Sequence, residues 1–212
     1  MAGFTGHSTG GIVAGLGISI CSIELFHFPP SEALVIGMVC YLGALFPDID
    51  ANKSVITRKF FRYFGVIFGM ICSAVLFRRI EYYHIIGLIF GSWLLSFYVV
   101  RPIFNRITNH RGLFHSVPAG LVISGIFGNL ILLMNDYKRN LHINKRFDQE
   151  FIFWISISFF AGYIVHLLMD EAWSLKGMKK SLGTALKFFE VKKTSSYLLM
   201  YLLACILYIS IL

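Results

Sequence analysis

Apolar residues run along the chain in seven blocks, at roughly Gly11 to Phe28, Ala33 to Phe46, Tyr63 to Phe77, Ile85 to Val100, Val117 to Met134, Phe151 to Met169 and Tyr197 to Leu212. Polar and charged residues gather in the segments between them. The pattern predicts an all-α fold, a polytopic membrane helix bundle of about seven helices. Several blocks fall short of the ~20 residues that a straight span prefers, so some helices are expected to be short or re-entrant, above all the two between Tyr63 and Val100. Pro29-Pro30 closes the first block and predicts a tight hairpin to the second, while Pro47, Pro102 and Pro118 mark places where a helix stops or begins.

Composition agrees with the pattern. Of 212 residues, 57% are hydrophobic and only 14% charged, and the mean hydropathy is +0.71, outside the range of ordinary soluble domains. Residues 1–212 therefore read as a single integral membrane domain, without an internal repeat. Met1 to Phe28 has no basic residue before its apolar run and no small-residue cleavage site after it, so it is expected to be retained. Cys21, Cys40, Cys72 and Cys205 all lie inside apolar blocks and read as packed thiols. Between residues 174 and 196, lysines alternate with Leu182, Leu186, Phe188 and Phe189, which predicts an amphipathic helix on the cytoplasmic surface.

The net charge is +8; in a membrane protein that excess reports orientation and contact with anionic lipid, so no nucleic-acid partner is expected. If the chain crosses once per block, the side holding the N-terminus carries thirteen of the 19 Lys and Arg residues. The positive-inside rule makes that side cytoplasmic.

Four sets of polar residues sit at the ends of apolar blocks: His7; Asp48 with Asp50; His110 with His115; and His166 with Asp170. Taken singly, each has a plain reading. Ser116 can cap a helix beside the histidines, the aspartates can belong to a solvated turn, and His166 can be a packed histidine. The threading nevertheless puts all four sets on the cytoplasmic side. His166 and Asp170, four residues apart on the last turn of a helix, share one face. Asp48 and Asp50 follow Pro47, and in an extended turn residues two apart point the same way. Gly112 allows the backbone between His110 and His115 to fold both rings toward one point.

His7, His110, His115, His166, Asp48, Asp50 and Asp170 make seven candidate ligands, enough for one or two divalent ions, with zinc favoured over manganese or iron. With Arg111 beside it, such a site favours an anionic substrate, phosphate above all. These stretches resemble the YdjM-like inner-membrane proteins, described as membrane-bound metal-dependent hydrolases. The resemblance rests on Gly6-His7; on Phe46-Pro47-Asp48-Ile49-Asp50 with Ser54; on His110-Arg111-Gly112-Leu113-Phe114-His115-Ser116; and on Gly162 through Asp170. Ala51 and Phe114 depart from it, standing where a histidine and a threonine are common. The His166-x-x-x-Asp170 pair is also similar to pairs in zinc-dependent phospholipase C and the P1-type nucleases, a fold-level analogy.

The resemblance implies a bacterial inner-membrane hydrolase. The expected activity is phosphoesterase chemistry at the cytoplasmic face, on a lipid or a membrane-associated phosphate ester, with Asp48, Asp50 and Arg111 in catalytic roles. A metal or proton transporter would instead spread ionisable residues through the membrane. A non-catalytic scaffold would depend on the basic segment near Lys179, Lys180 and Lys187.

Overall fold

The computed structural model describes residues 4–50, 55–76, 82–107, 112–140, 147–176, 186–190 and 193–212. Among the described residues the regular structure is helical: α1 (Phe4–Phe26), α2 (Pro30–Leu45), α3 (Val55–Leu76), α4 (Tyr82–Leu95), α5 (Arg101–Ile107), α6 (Val117–Asn140), α7 (Gln149–Lys176) and α8 (Thr194–Ile209). A π-helical turn, Ser96–Val100, carries α4 into α5 without a break, so the expected seven-helix count holds. Among the described residues, five stretches are long and apolar enough to cross a membrane: Phe4–Phe26, Pro30–Asp50, Tyr83–Arg106, Val117–Asn135 and Gln149–Trp173. α8, of 16 residues, is a shorter apolar helix, and α4, of 14 residues, reaches spanning length only together with the turn and helix that follow it.

The chain forms two compact units, one of Met1–Pro47 with Leu113–Leu212, the other of Asp48–Gly112. In the first unit, α1 buries His7, Gly11, Gly15 and Ser22 and exposes Ile12, Val13, Leu16 and Ile20. That is the reverse of a soluble helix. Lipid leaves no penalty on the exposed apolar side, and small residues on the other let backbones approach closely. Gly11 faces Ala44, Gly15 faces Gly37, and Ser19 Oγ donates to the Ala33 carbonyl at 2.8 Å, so α1 and α2 pack antiparallel. Their hairpin turns at His27, whose φ of 56° is tolerated by His better than by most side chains. The Phe28 amide then reaches back to the Ser22 carbonyl, and Pro30 opens α2.

α7 runs parallel to α2 in a strict register. Ser158 Oγ donates to the Ile36 carbonyl at 2.6 Å, Gly162 lies on the Cys40 carbonyl, and His166 Nδ1 donates to the Ala44 carbonyl at 2.8 Å. Each step advances both helices by four residues. Along α7, Phe151, Ile155, Phe159, Tyr163 and Leu167 form one buried stripe with Ile36 and Val39 of α2 and Val117 of α6. α6 and α8 are clasped by polar contacts: Asn129 Nδ2 donates to the Gly125 and Leu207 carbonyls at 2.9 Å, and Ser210 Oγ donates to Asn129 Oδ1 at 2.7 Å.

The second unit is an antiparallel pair, α3 against α4. Gly65 lies against Ser92, Trp93 and Ser96, Gly69 against Ile89 and Ser92, and Ser96 Oγ donates to the Phe61 carbonyl at 2.7 Å.

Three sequence expectations change. α3 begins at Val55, ahead of its apolar run, so its first turns carry Arg58, Lys59 and Arg62. Pro102 does not end a helix: the π-turn before it, where the Arg101 amide bonds to the Ser96 carbonyl, takes up the ring and the missing donor. In the surface segment expected to be an amphipathic helix, α7 extends to Lys176 and residues 186–190 are not helical, while 177–185 lie outside the described residues.

A Cβ at Gly162 has no room against the Cys40 carbonyl, whereas Gly17 has nothing within 4 Å. Gly162→Ala is therefore expected to cost about 1–3 kcal/mol by overpacking, read as a lower thermal midpoint in detergent. Gly17→Ala should leave that midpoint unchanged or raise it.

Candidate metal centre

Polar residues at one end of the first unit converge in its interior. His7 comes from the first turns of α1, while His166 and Asp170, four residues apart, share one face of α7. All three are buried. The His7 and His166 rings stack with centroids 3.8 Å apart and planes 11° from parallel. His7 Nε2 lies 3.2 Å from Asp170 Oδ1. One ligand atom from each of the three residues falls within 4.8 Å of the others.

The Ala44 carbonyl fixes the orientation of His166. A carbonyl can only accept, so Nδ1 carries the proton, and in the neutral ring Nε2 presents its lone pair inward. This backbone-oriented imidazole is a common device for holding a metal-binding histidine in one tautomer.

His115 stands beside the group, its ring edge-on to His166 with centroids 5.6 Å apart, and is fully buried. The loop that carries it is tied on three sides. Tyr163 donates its hydroxyl to the Phe114 carbonyl, Ser116 Oγ accepts from the Ala119 amide as the expected N-cap of α6, and the Val117 amide bonds to the Lys187 carbonyl at 2.9 Å. Glu171, also buried, accepts from the Leu186 amide at 3.3 Å and so anchors the segment that pairs with Ser116.

Of the sequence candidates, His7, His166 and Asp170 come together, with His115 at their side. His166 and Asp170 do not lie on the last turn, since α7 continues to Lys176. Asp48 and Asp50 sit on a 3₁₀ turn, Phe46–Asp50, not on the extended turn expected, and belong to the second unit. With three residues per turn, positions i and i+2 diverge; Asp50 is buried and Asp48 half-buried. Thr57 Oγ1 holds this turn through the Asp48 and Ile49 carbonyls, at 3.2 and 2.9 Å. His110 and Arg111 lie outside the described residues. Sequence reasoning missed Tyr163 and Glu171 as supports. Both lie within five residues of His166 in the chain, and Tyr163 reads as one more packing aromatic.

Two imidazoles and a carboxylate, buried and mutually oriented, suit a borderline divalent ion such as zinc, manganese or iron. Fold and cluster together define a polytopic membrane protein with a polar His/Asp group at one end of its helices. The chain belongs to the YdjM inner membrane protein family, whose model matches residues 1–211. No curated protein and no solved structure matches, so the likeness to phospholipase C rests on the His166-x-x-x-Asp170 spacing alone.

Tyr163→Phe keeps the packing and removes the tie to the His115 loop. The expected cost is about 1 kcal/mol. Amide hydrogen exchange should show the gain concentrated in residues 112–116, with α7 unchanged.

Proposed function

We propose that this inner membrane protein is a metal-dependent hydrolase whose site opens toward the cytoplasm. The proposed substrate is a phosphate ester, either of a lipid or of another membrane-associated molecule. The observation that carries the reading is the buried group His7, His166 and Asp170, with His166 held by the Ala44 carbonyl so that Nε2 faces its neighbours. Burying a carboxylate and two imidazoles in lipid-facing helices is costly, and such residues are functional by default when their partners can be named.

In this reading His7, His166 and Asp170 hold the ion. A bound divalent ion would supply Lewis acidity toward a phosphoryl oxygen. His115 then has the position and chemistry to carry a proton at the edge of the group, and the His115 loop shapes the mouth. From the sequence, Asp48 and Asp50 join as further ligands or a general base. His110 joins as a ligand, and Arg111 binds the substrate's anionic oxygens with its planar fork. The lysine and arginine bias supports a cytoplasmic N-terminus, which puts this end of the helices on the cytoplasmic face. A transporter is favoured less, because among the described residues of the first unit the buried histidines and carboxylates cluster at one end of the helices.

Elemental analysis of detergent-purified wild type, His166→Ala and Asp170→Ala tests the reading. Wild type should carry about one or two equivalents of zinc, manganese or iron per chain, and each variant should lose most of it while keeping its helical circular dichroism. Hydrolysis of generic phosphate esters should fall with the metal. Full metal retention in both variants would sink the proposal.

A further inference from the structure

The second unit carries a pair of arginines that the metal reading does not use. Arg62 of α3 and Arg101 of α5 both lie over the ring of Phe97 in the π-turn, their Cζ atoms 5.8 and 4.9 Å from its centroid. An aromatic face attracts a guanidinium and holds it in place, but leaves its N–H fork unspent. Among the described residues neither guanidinium makes an ion pair or a hydrogen bond. Arg101 Nε is buried without a hydrogen-bond partner, and so is Asn105 Oδ1 one turn further along the same helix. A buried donor beside a buried acceptor, both unmet, calls for a ligand that offers both kinds of group.

The surroundings favour an anion. Between Asp48 and Gly112 the sequence has nine Lys and Arg against three acidic residues. Arg58, Lys59 and Arg106 are exposed, at the same end of the antiparallel α3/α4–α5 pair as Arg62 and Arg101. Toward the middle of the pair the exposed side chains turn apolar: Phe64, Ile67 and Phe68 on α3, Val99 on the π-turn and Leu95 on α4. A basic collar above an apolar belt is the profile of a helix pair crossing from headgroups into hydrocarbon.

The geometry points to a binding site for the headgroup of an anionic phospholipid, clamped between Arg62 and Arg101. The two guanidiniums take the phosphate oxygens, Arg101 Nε among the donors. Asn105 Oδ1 accepts from a headgroup hydroxyl such as that of phosphatidylglycerol. The acyl chains lie along the exposed apolar side of α3 and α4. The π-turn contributes by setting Phe97 and Arg101 on the side of the helix that meets Arg62, and such turns recur at functional sites.

The test titrates short-chain phosphatidylglycerol, phosphatidylcholine and inorganic phosphate onto the full chain in a neutral detergent, with bound lipid counted by native mass spectrometry. Wild type should prefer phosphatidylglycerol over phosphatidylcholine by about tenfold or more. The variant Arg62→Gln with Arg101→Gln should lose that preference. Replacing both by Lys keeps the charge but not the fork and should weaken binding by several-fold, which preserves the test if the glutamine variant does not fold. Lys193→Gln, in the other unit, should bind as wild type. Unchanged phosphatidylglycerol binding in both arginine variants would overturn the site. So would equal binding of phosphatidylcholine by wild type, or displacement of the lipid by an equal concentration of inorganic phosphate.

Discussion

The close parallel contact of α2 with α7 is the constraint on which the first unit depends. Its three rungs, Ser158 to Ile36, Gly162 to Cys40 and His166 to Ala44, keep one register along the pair. Gly162 sets the separation, because a side chain there would push the helices apart and lengthen both hydrogen bonds beside it. His166 thus has two jobs that share one geometry. Its Nδ1 closes the last rung, and closing that rung leaves Nε2 as the nitrogen with a lone pair to offer beside His7 and Asp170. Packing and chemistry are coupled through a single backbone carbonyl, so a change that loosens α2 from α7 also disorients the imidazole.

The same economy appears in α1. Its buried side is made of His7, Gly11, Gly15 and Ser22, and its bulky residues face outward. In water this helix would be inside out. In a bilayer no hydrophobic force presses helices together, so association rests on close backbone approach and on polar contacts that lipid cannot replace. The His7–His166 stack and the His7–Asp170 contact belong to that set. The polar cluster therefore helps to hold α1 on α7 as well as offering ligands, and metal binding would be coupled to the docking of α1.

Much of this was legible in the sequence because the signals were periodic or local. Seven apolar blocks gave seven helices, and His166 with Asp170 at four-residue spacing had to share a face. Ser116 was recognisable as a cap. The misses have physical causes. Pro102 reads as a helix end by its own chemistry, but an extra residue in the preceding turn absorbs it. After Pro47 the sequence suits Asp48 and Asp50 to an extended turn, but the chain takes a 3₁₀ turn held by Thr57, seven residues beyond Asp50. The Ala44 carbonyl could not be found at all, since a backbone acceptor leaves no mark on residue identity. Tyr163 was hidden for a different reason: a tyrosine in an aromatic-rich helix reads as packing, and it does pack, while its hydroxyl ties down the loop before α6.

Topology explains why the polar residues of the first unit meet at one end. α1 starts there with His7, α2 finishes there with Ala44, α6 starts there after His115, and α7 approaches its end there with His166 and Asp170. The chain leaves this unit at Pro47 and returns at Leu113, both at that same end. The segment between them therefore makes an even number of crossings, zero included; within the second unit α3 runs antiparallel to α4. An odd number would put the start of α6, and with it His115, at the opposite end, and would reverse α7 against α2. The parallel register of α2 and α7 thus accords with the two apolar blocks that the sequence places between Pro47 and Leu113. A segment inserted between Pro47 and Leu113 can preserve the site only if both its ends stay on that one side.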